Sequence, residues 1–477
     1  MSTSREHFGS RLGFILAAAA SAVGIGNLVG FPVNAAKNGG AAFLFIYALF
    51  VFLVCVPVMM AELSAGRASQ RGPFGCYQLF APKHPLWHFG GFLSVLTPFM
   101  IAVFYLVLTV WILGFLLEII GGNLRAMAEP EFFGSFITGK SLFVYLVIVA
   151  AFVAITLHFG VQKGIERGAK IMMPALFFML VAMVLFILTR DNAFAGVKYY
   201  LIPDFSKLTT QVINGAMSQA FFSLSLGMGI MITYGSYMDR QASIAESARL
   251  VAIADTAVAF TAGLLVLPAI FSFNPNTNPD ELSSSSVSLV FTFLPKVFLA
   301  LEASLGYIGA TTVAAIFFIL VLFAALTSLI SIIEVPVCAV MDQFKSGRNR
   351  SLLMIGAAII VVSLGCVVSF GMADFFTHFI NYGNCEAGTK CKSFFDLIID
   401  VFYDTILPLN GALICVFVVY QWKKRNFDKE LENGDADYKG SIMEKYINFS
   451  LGTFIPLLLL LIFINTVLSK FFGTSLI

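Results

Sequence analysis

Charge is scarce in this chain. Of its 477 residues only 12% are Asp, Glu, Lys or Arg, against 59% that are hydrophobic. That shortage excludes a soluble domain, because no core of this length could hide so much apolar surface; the class left is a polytopic membrane protein. Histidine and cysteine are few as well, five and seven, and they show no metal-ligand spacing. No phosphate-binding glycine loop or nucleophile elbow occurs either, so enzyme chemistry has no foothold and the chain is not expected to be an enzyme. Only Cys385 and Cys391, six apart in a short outer loop, are placed to pair, and two free thiols fit that loop equally well. The net charge of +2 points to no nucleic-acid partner.

What the chain has in excess is apolar runs. Segments of about 20 residues suffice to cross the hydrocarbon core. Such runs recur near 12–36, 41–61, 89–121, 141–159, 171–189, 212–238, 250–273, 304–340, 352–373, 397–422 and 447–469, which predicts eleven spans. The first is too long and too lightly charged in front for a cleaved signal peptide and is read as a span. Cytoplasmic loops retain Lys and Arg. With the N-terminus inside and the C-terminus outside, 19 of the 29 basic residues lie inside, among them Arg5, Arg11, Arg67, Arg71, Arg240 and Arg348, whereas the opposite topology leaves 10. The polar stretch 423–446 reads as a solvated inner loop, and residues 1–477 as a single membrane domain.

Two of the runs are interrupted. "AVGIGN" puts Gly24 and Gly26 inside the first span, and "FFSLSLGMGI" puts Gly227 and Gly229 inside the sixth, five spans later. Freed peptide groups at mid-membrane depth cost several kcal/mol each, of order 2–7, unless something binds them. Glycines that only allow close helix packing account for one such motif and poorly for two in matched spans beside polar side chains. Paired breaks in corresponding positions mark inverted-repeat transporters, whose sites form where helices unwind. The pattern predicts an all-α fold with a 5+5 inverted repeat (11–190 and 211–425), unwound helices 1 and 6, and an additional helix at 447–470.

The residues themselves resemble the neurotransmitter:sodium symporter family, bacterial amino-acid transporter branch, with its leucine-transporter-type fold. "SREHFGSRLGFILA", "AVGIGN", "FP" and "NGGAAF" near the first span carry the resemblance, with "FFSLSLGMG" and "ITYGSY" in the sixth and "FAALTSLIS" in the eighth. It implies import of a neutral, hydrophobic amino acid coupled to Na⁺ by alternating access, with no covalent chemistry. Other readings on the same fold are transport of another small zwitterion or an amine, and a ligand sensor or channel without coupling. The implied partners are a small amino acid and the lipid bilayer of a bacterial inner membrane, and the implied assembly is a monomer or weak homodimer.

The resemblance also assigns roles. A first sodium site takes the carbonyl of Ala22 with Asn27, Ser223 and Asp255; a second takes carbonyls of Ala20, Val23 and Ala324 with the hydroxyls of Thr327 and Ser328, all oxygen donors suited to a hard cation. Without the family, back-bonding to a carbonyl one turn earlier is the plainer reading of Thr327 and Ser328. Backbone amides around Ala22, Gly24 and Gly26 receive the substrate carboxylate with Tyr105, carbonyls near Phe222 and Ser225 take its amine, and Ile101, Phe222, Met228, Ser328, Ser331 and Ile332 wall its side chain. An ionisable group in a span is costly and functional by default. Asp255 is expected to replace the chloride of chloride-dependent relatives in a region with Tyr47, Gln219 and Ser223, so chloride is not expected as a cofactor.

For the gates, Arg5 and Asp342 with Tyr237 resemble the cytoplasmic network. Outside, Gly30 stands where many relatives carry Arg, although Asp400 and Asp404 remain. Gly164 and Pro174 resemble the end of helix 5 that unwinds to admit water to the second sodium site, and a plain kink at the proline reads nearly as well.

Overall fold

Peptide groups in lipid must be satisfied within their own segment, so apolar runs fold as helices. The computed structural model describes residues 6–273, 289–383 and 391–474. Among these residues the regular elements are helices, apart from one isolated bridge between Ile380 and Lys392.

The first apolar run splits into α1 (Arg11–Ala22) and α2 (Phe31–Lys37), joined through a wide-turn segment at Gly26–Gly30 and bent by 53° across the break. Then follow α3 (Ala41–Ser69), α4 (Pro85–Ile120), α5 (Ser141–His158) and α6 (Val161–Leu188). The sixth run is two short helices, α7 (Thr210–Ser223) and α8 (Ile230–Gly235). After it come α9 (Ile244–Ser272), α10 (Glu302–Phe344), α11 (Arg348–Val368) and α12 (Phe394–Gln421). A short amphipathic helix α13 (Lys424–Glu432) and the last long helix α14 (Ile442–Phe472) complete the chain.

Among the described residues nine helices are long and apolar enough to cross a membrane, ten if the bent α1–α2 pair counts as one. The sixth run fails that measure because its break leaves two halves of 14 and 6 residues. The expected eleven is therefore a count of apolar runs, and the helices themselves do not reach it.

α4 and α10 form the centre, with 78% of their apolar windows buried; α5, α11 and α14 bury only 28% and lie at the lipid-facing rim. Most of the phenylalanines act as packing: Trp111 and Phe115 of α4 gather Phe133, Phe136, Phe291 and Phe370 edge to face, ring centres 4.8–5.8 Å apart.

Two local readings change. The expected solvated loop at 423–446 contains α13, which buries Phe427 and Leu431, one turn apart, and ties its Glu430 to the fully buried Arg67 at 2.6 Å. α6 runs helically through Pro174; its irregularity is a wide-turn segment at Val161–Glu166. Gly164 lies within it, where a Cβ would fall 2.0 Å from the Thr156 carbonyl oxygen. Cys391 is disulfide-bonded, while Cys385 lies outside the described residues.

Candidate functional site

The site is built where the two broken helices meet. α1 stops at Ala22 because Val23 turns extended (φ −73°, ψ 104°), and the chain becomes helical again from Gly26. In the second break Ser225, Gly227 and Gly229 all have positive φ (55°, 73° and 66°), a backbone state that glycine enters at no steric cost and serine does not.

Much of the freed backbone is bound by the protein. The Ile25 amide donates to the Tyr105 hydroxyl at 3.2 Å and the Gly24 amide to Asn27 Oδ1 at 3.0 Å. In the second break the Gly227 amide donates to Glu62 Oε1 at 2.8 Å, and its carbonyl accepts from Asn410 Nδ2 at 2.9 Å. Sequence reasoning assigned this role to ions and substrate alone. It missed Glu62 and Asn410, whose only signal was a polar residue inside an apolar run.

Three of the residues expected at the first sodium site and its chloride-equivalent region, Asn27, Tyr47 and Ser223, come together around Asp255. Asn27 Nδ2 donates to Asp255 Oδ1 at 2.7 Å and to Ser223 Oγ at 2.9 Å; Tyr47 Oη donates to Asp255 Oδ2 at 3.0 Å; Ser223 Oγ lies 2.9 Å from both carboxylate oxygens. Asp255 is fully buried, and no ion pair among the described residues includes it. Gln219 turns elsewhere, donating to the Gly26 carbonyl at 2.9 Å and accepting from Asn34 at 3.1 Å.

Around the second expected site, Ser328 Oγ donates towards the carbonyls of Ser21 and Val23 at 3.2 and 3.3 Å. Thr327 back-bonds to Phe323 and Ala324 at 3.0 and 3.1 Å, which fits the ordinary helical reading and also places its oxygen beside the Ala324 carbonyl. Ser21, unremarked in the sequence, is a hub: its carbonyl also accepts from Ser225 Oγ at 3.0 Å and its hydroxyl from Ser331 at 2.7 Å. Ala20 and Ala22, which precede the break, are buried on α1.

The expected substrate residues surround Gly24 and Gly26. A Cβ on Gly24 would lie 2.7 Å from Ser328 Oγ and 2.8 Å from Tyr105 Oη, and one on Gly26 would lie 2.8 Å from the Phe222 ring. Ile101, Met228 and Ile332 are buried apolar side chains on α4, in the break and on α10. Above Phe222 a cavity of about 440 Å³ opens, lined by Ile25, Gly30, Tyr105, Tyr403, Asp404 and Lys470 among others, within the range of small-ligand sites.

At the opposite end the segment before α1 packs onto α8. Phe8 packs edge to face on Phe14 and Tyr234, and its amide donates to the Tyr237 carbonyl at 3.1 Å. Arg5 lies outside the described residues; Asp342 accepts the Gly72 amide at 2.7 Å. Tyr237 donates to Glu334 at 2.7 Å, and Glu334 pairs with Arg348 at 2.7 Å, a buried ion pair that the sequence reading did not connect.

The family model described as the sodium:neurotransmitter symporter family matches residues 5–128 and 138–471. A Bacillus subtilis protein described as an uncharacterized sodium-dependent transporter, YhdH, is 34% identical, the alignment covering 96% of this chain and 97% of that protein. A Haemophilus influenzae protein described in the same way, as a sodium-dependent transporter, is 30% identical over 97% of this chain and 98% of its own length. The crystal structure of MhsT in complex with L-phenylalanine superposes with a TM-score of 0.82 at 35% identity, covering 97% of this chain and 99% of MhsT.

Proposed function

This chain belongs to the sodium:neurotransmitter symporter family and is a sodium-coupled membrane transporter of a small molecule, not an enzyme; from that premise we propose that it imports a neutral, apolar amino acid without needing chloride. The carrying observation is the buried Asp255, held by three neutral donors and by no cation among the described residues. A fixed negative charge in such surroundings attracts a cation and makes a separate anion redundant.

Sodium at this first site is liganded by Asn27, Ser223, the Ala22 carbonyl and Asp255; sodium at the second by carbonyls of Ala20, Val23 and Ala324 with Thr327 and Ser328. The substrate carboxylate sits at the amides around Gly24 and Gly26 beside Tyr105, its amine at carbonyls near Phe222 and Ser225, and its side chain against Ile101, Met228, Ser331 and Ile332. The complex of MhsT, a relative of this fold, with L-phenylalanine supports an amino acid as the ligand class. The two halves, 11–190 and 211–425, act as inverted repeats in a bacterial cytoplasmic membrane with the N-terminus inside, and release inward proceeds through the α6 segment around Gly164 and Pro174.

Two sodium ions carried with a zwitterion gain about 4.6 kcal/mol at 100 mV, which supports roughly thousandfold accumulation. The test is uptake of radiolabelled amino acids into proteoliposomes. Accumulation that requires an inward sodium gradient, survives replacement of chloride by gluconate and is competed by apolar amino acids upholds the reading. Equilibration without accumulation, or uptake driven equally by potassium, overturns it.

A further inference from the structure

Gly30 brings no side chain into the cavity wall, yet the cavity is not without a cation. Lys470, near the end of α14, reaches into it and places Nζ 2.6 Å from Asp404 Oδ2 and 2.8 Å from Asp400 Oδ1. Lys392 and the Tyr382 hydroxyl hold the other oxygen of Asp400 at 2.9 and 2.8 Å. Both acids belong to a wide-turn segment of α12, Ile399–Ile406. Such segments break helical regularity and concentrate where helices do functional work.

Between the two acids stands Tyr403, whose ring packs edge to face on Phe222 with centres 4.3 Å apart. Phe222 in turn lies against Gly26 at the floor of the same cavity. One continuous path of contacts therefore joins the last helix to the roof of the substrate site. Lys470 and Asp404 are 38% and 24% exposed, so the pair is shielded enough to matter and open enough to break.

We infer that Lys470 is the positioning residue of the outer gate: its pairing with Asp404 and Asp400 holds the α12 segment in place so that Tyr403 stays seated on Phe222 over the bound substrate. The additional helix α14 is thereby part of the gate. The inference rests on the transport reading above, and its test is independent of any transport measurement.

Leu108, in the wall of this cavity, is replaced by Cys, and the rate of labelling by a membrane-impermeant maleimide is measured on intact membranes in sodium. Lys470→Met and Asp404→Asn are expected to speed labelling about tenfold, the loss of a partly shielded pair. Lys470→Arg keeps the charge and stays within about twofold of the parent. Gly30→Lys in the Lys470→Met background returns the rate towards the parent, since a side chain at Gly30 faces the same cavity with no heavy atom nearer than 3.5 Å. A helix staple with no gating role would lower the melting temperature and leave these rates unchanged. Parental labelling of either Lys470→Met or Asp404→Asn, or no recovery with Gly30→Lys, overturns the inference. Because labelling needs no substrate, a protein that carries no amino acid yet shows these shifts would sink the transport reading and leave the gate standing.

Discussion

Replacing Asp255 by Asn keeps the size of the side chain and removes its charge. In the proposed first sodium site the ion lies within roughly 5 Å of that carboxylate, which Asn27 and Ser223 touch at 2.7 and 2.9 Å. At roughly 5 Å and an effective dielectric near 20, the lost attraction is about 3 kcal/mol. That corresponds to roughly a hundredfold loss of sodium affinity. The assay is uptake of labelled leucine into proteoliposomes against sodium concentration, at constant ionic strength with choline, in chloride and again in gluconate. The parent should give one curve in both anions. The variant should need about a hundredfold more sodium in gluconate and recover part of the loss in chloride, because a mobile anion then restores the missing charge. A variant with parental sodium dependence in both anions would refute the argument that the carboxylate stands in for the anion.

Three other outcomes follow from the same geometry. Gly24→Val should abolish amino-acid binding and lower stability in detergent by about 1–3 kcal/mol, because its Cβ falls within 2.8 Å of both Tyr105 Oη and Ser328 Oγ. Asn410→Leu, which strips the Gly227 carbonyl and Thr97 of a donor, should lower thermal stability by about 1–3 kcal/mol, read from melting in detergent. Glu430→Ala should cost about 3 kcal/mol by leaving the buried Arg67 guanidinium without its carboxylate, visible as early melting and as protease cleavage within α13.

The breaks were legible in the sequence because glycine pairs in apolar runs have few explanations in lipid, and the structure bends or unwinds the chain at both. Of the residues that the resemblance put around Asp255, Asn27, Tyr47 and Ser223 converge there from three separate helical segments, whereas Gln219 turns to Asn34 and the Gly26 carbonyl. What holds the breaks open was not legible. Glu62 lies 165 residues from Gly227 and Asn410 lies 183 from it, and no local pattern announces a pairing at that separation. α13 was hidden by charge: two buried apolar side chains in a stretch of acids and bases make a weak periodic signal. Lys470 was hidden by position, since a lysine near the end of a final span reads as an interfacial anchor until the fold brings α12 against it.

The central claim is that the two unwound segments form one site for sodium and an amino-acid carboxylate. Equilibrium binding of a labelled apolar amino acid to the purified protein in detergent, with sodium against potassium, tests it without a membrane potential or a gradient. The account predicts saturable binding in sodium and none in potassium. Binding of equal affinity in both ions would contradict it.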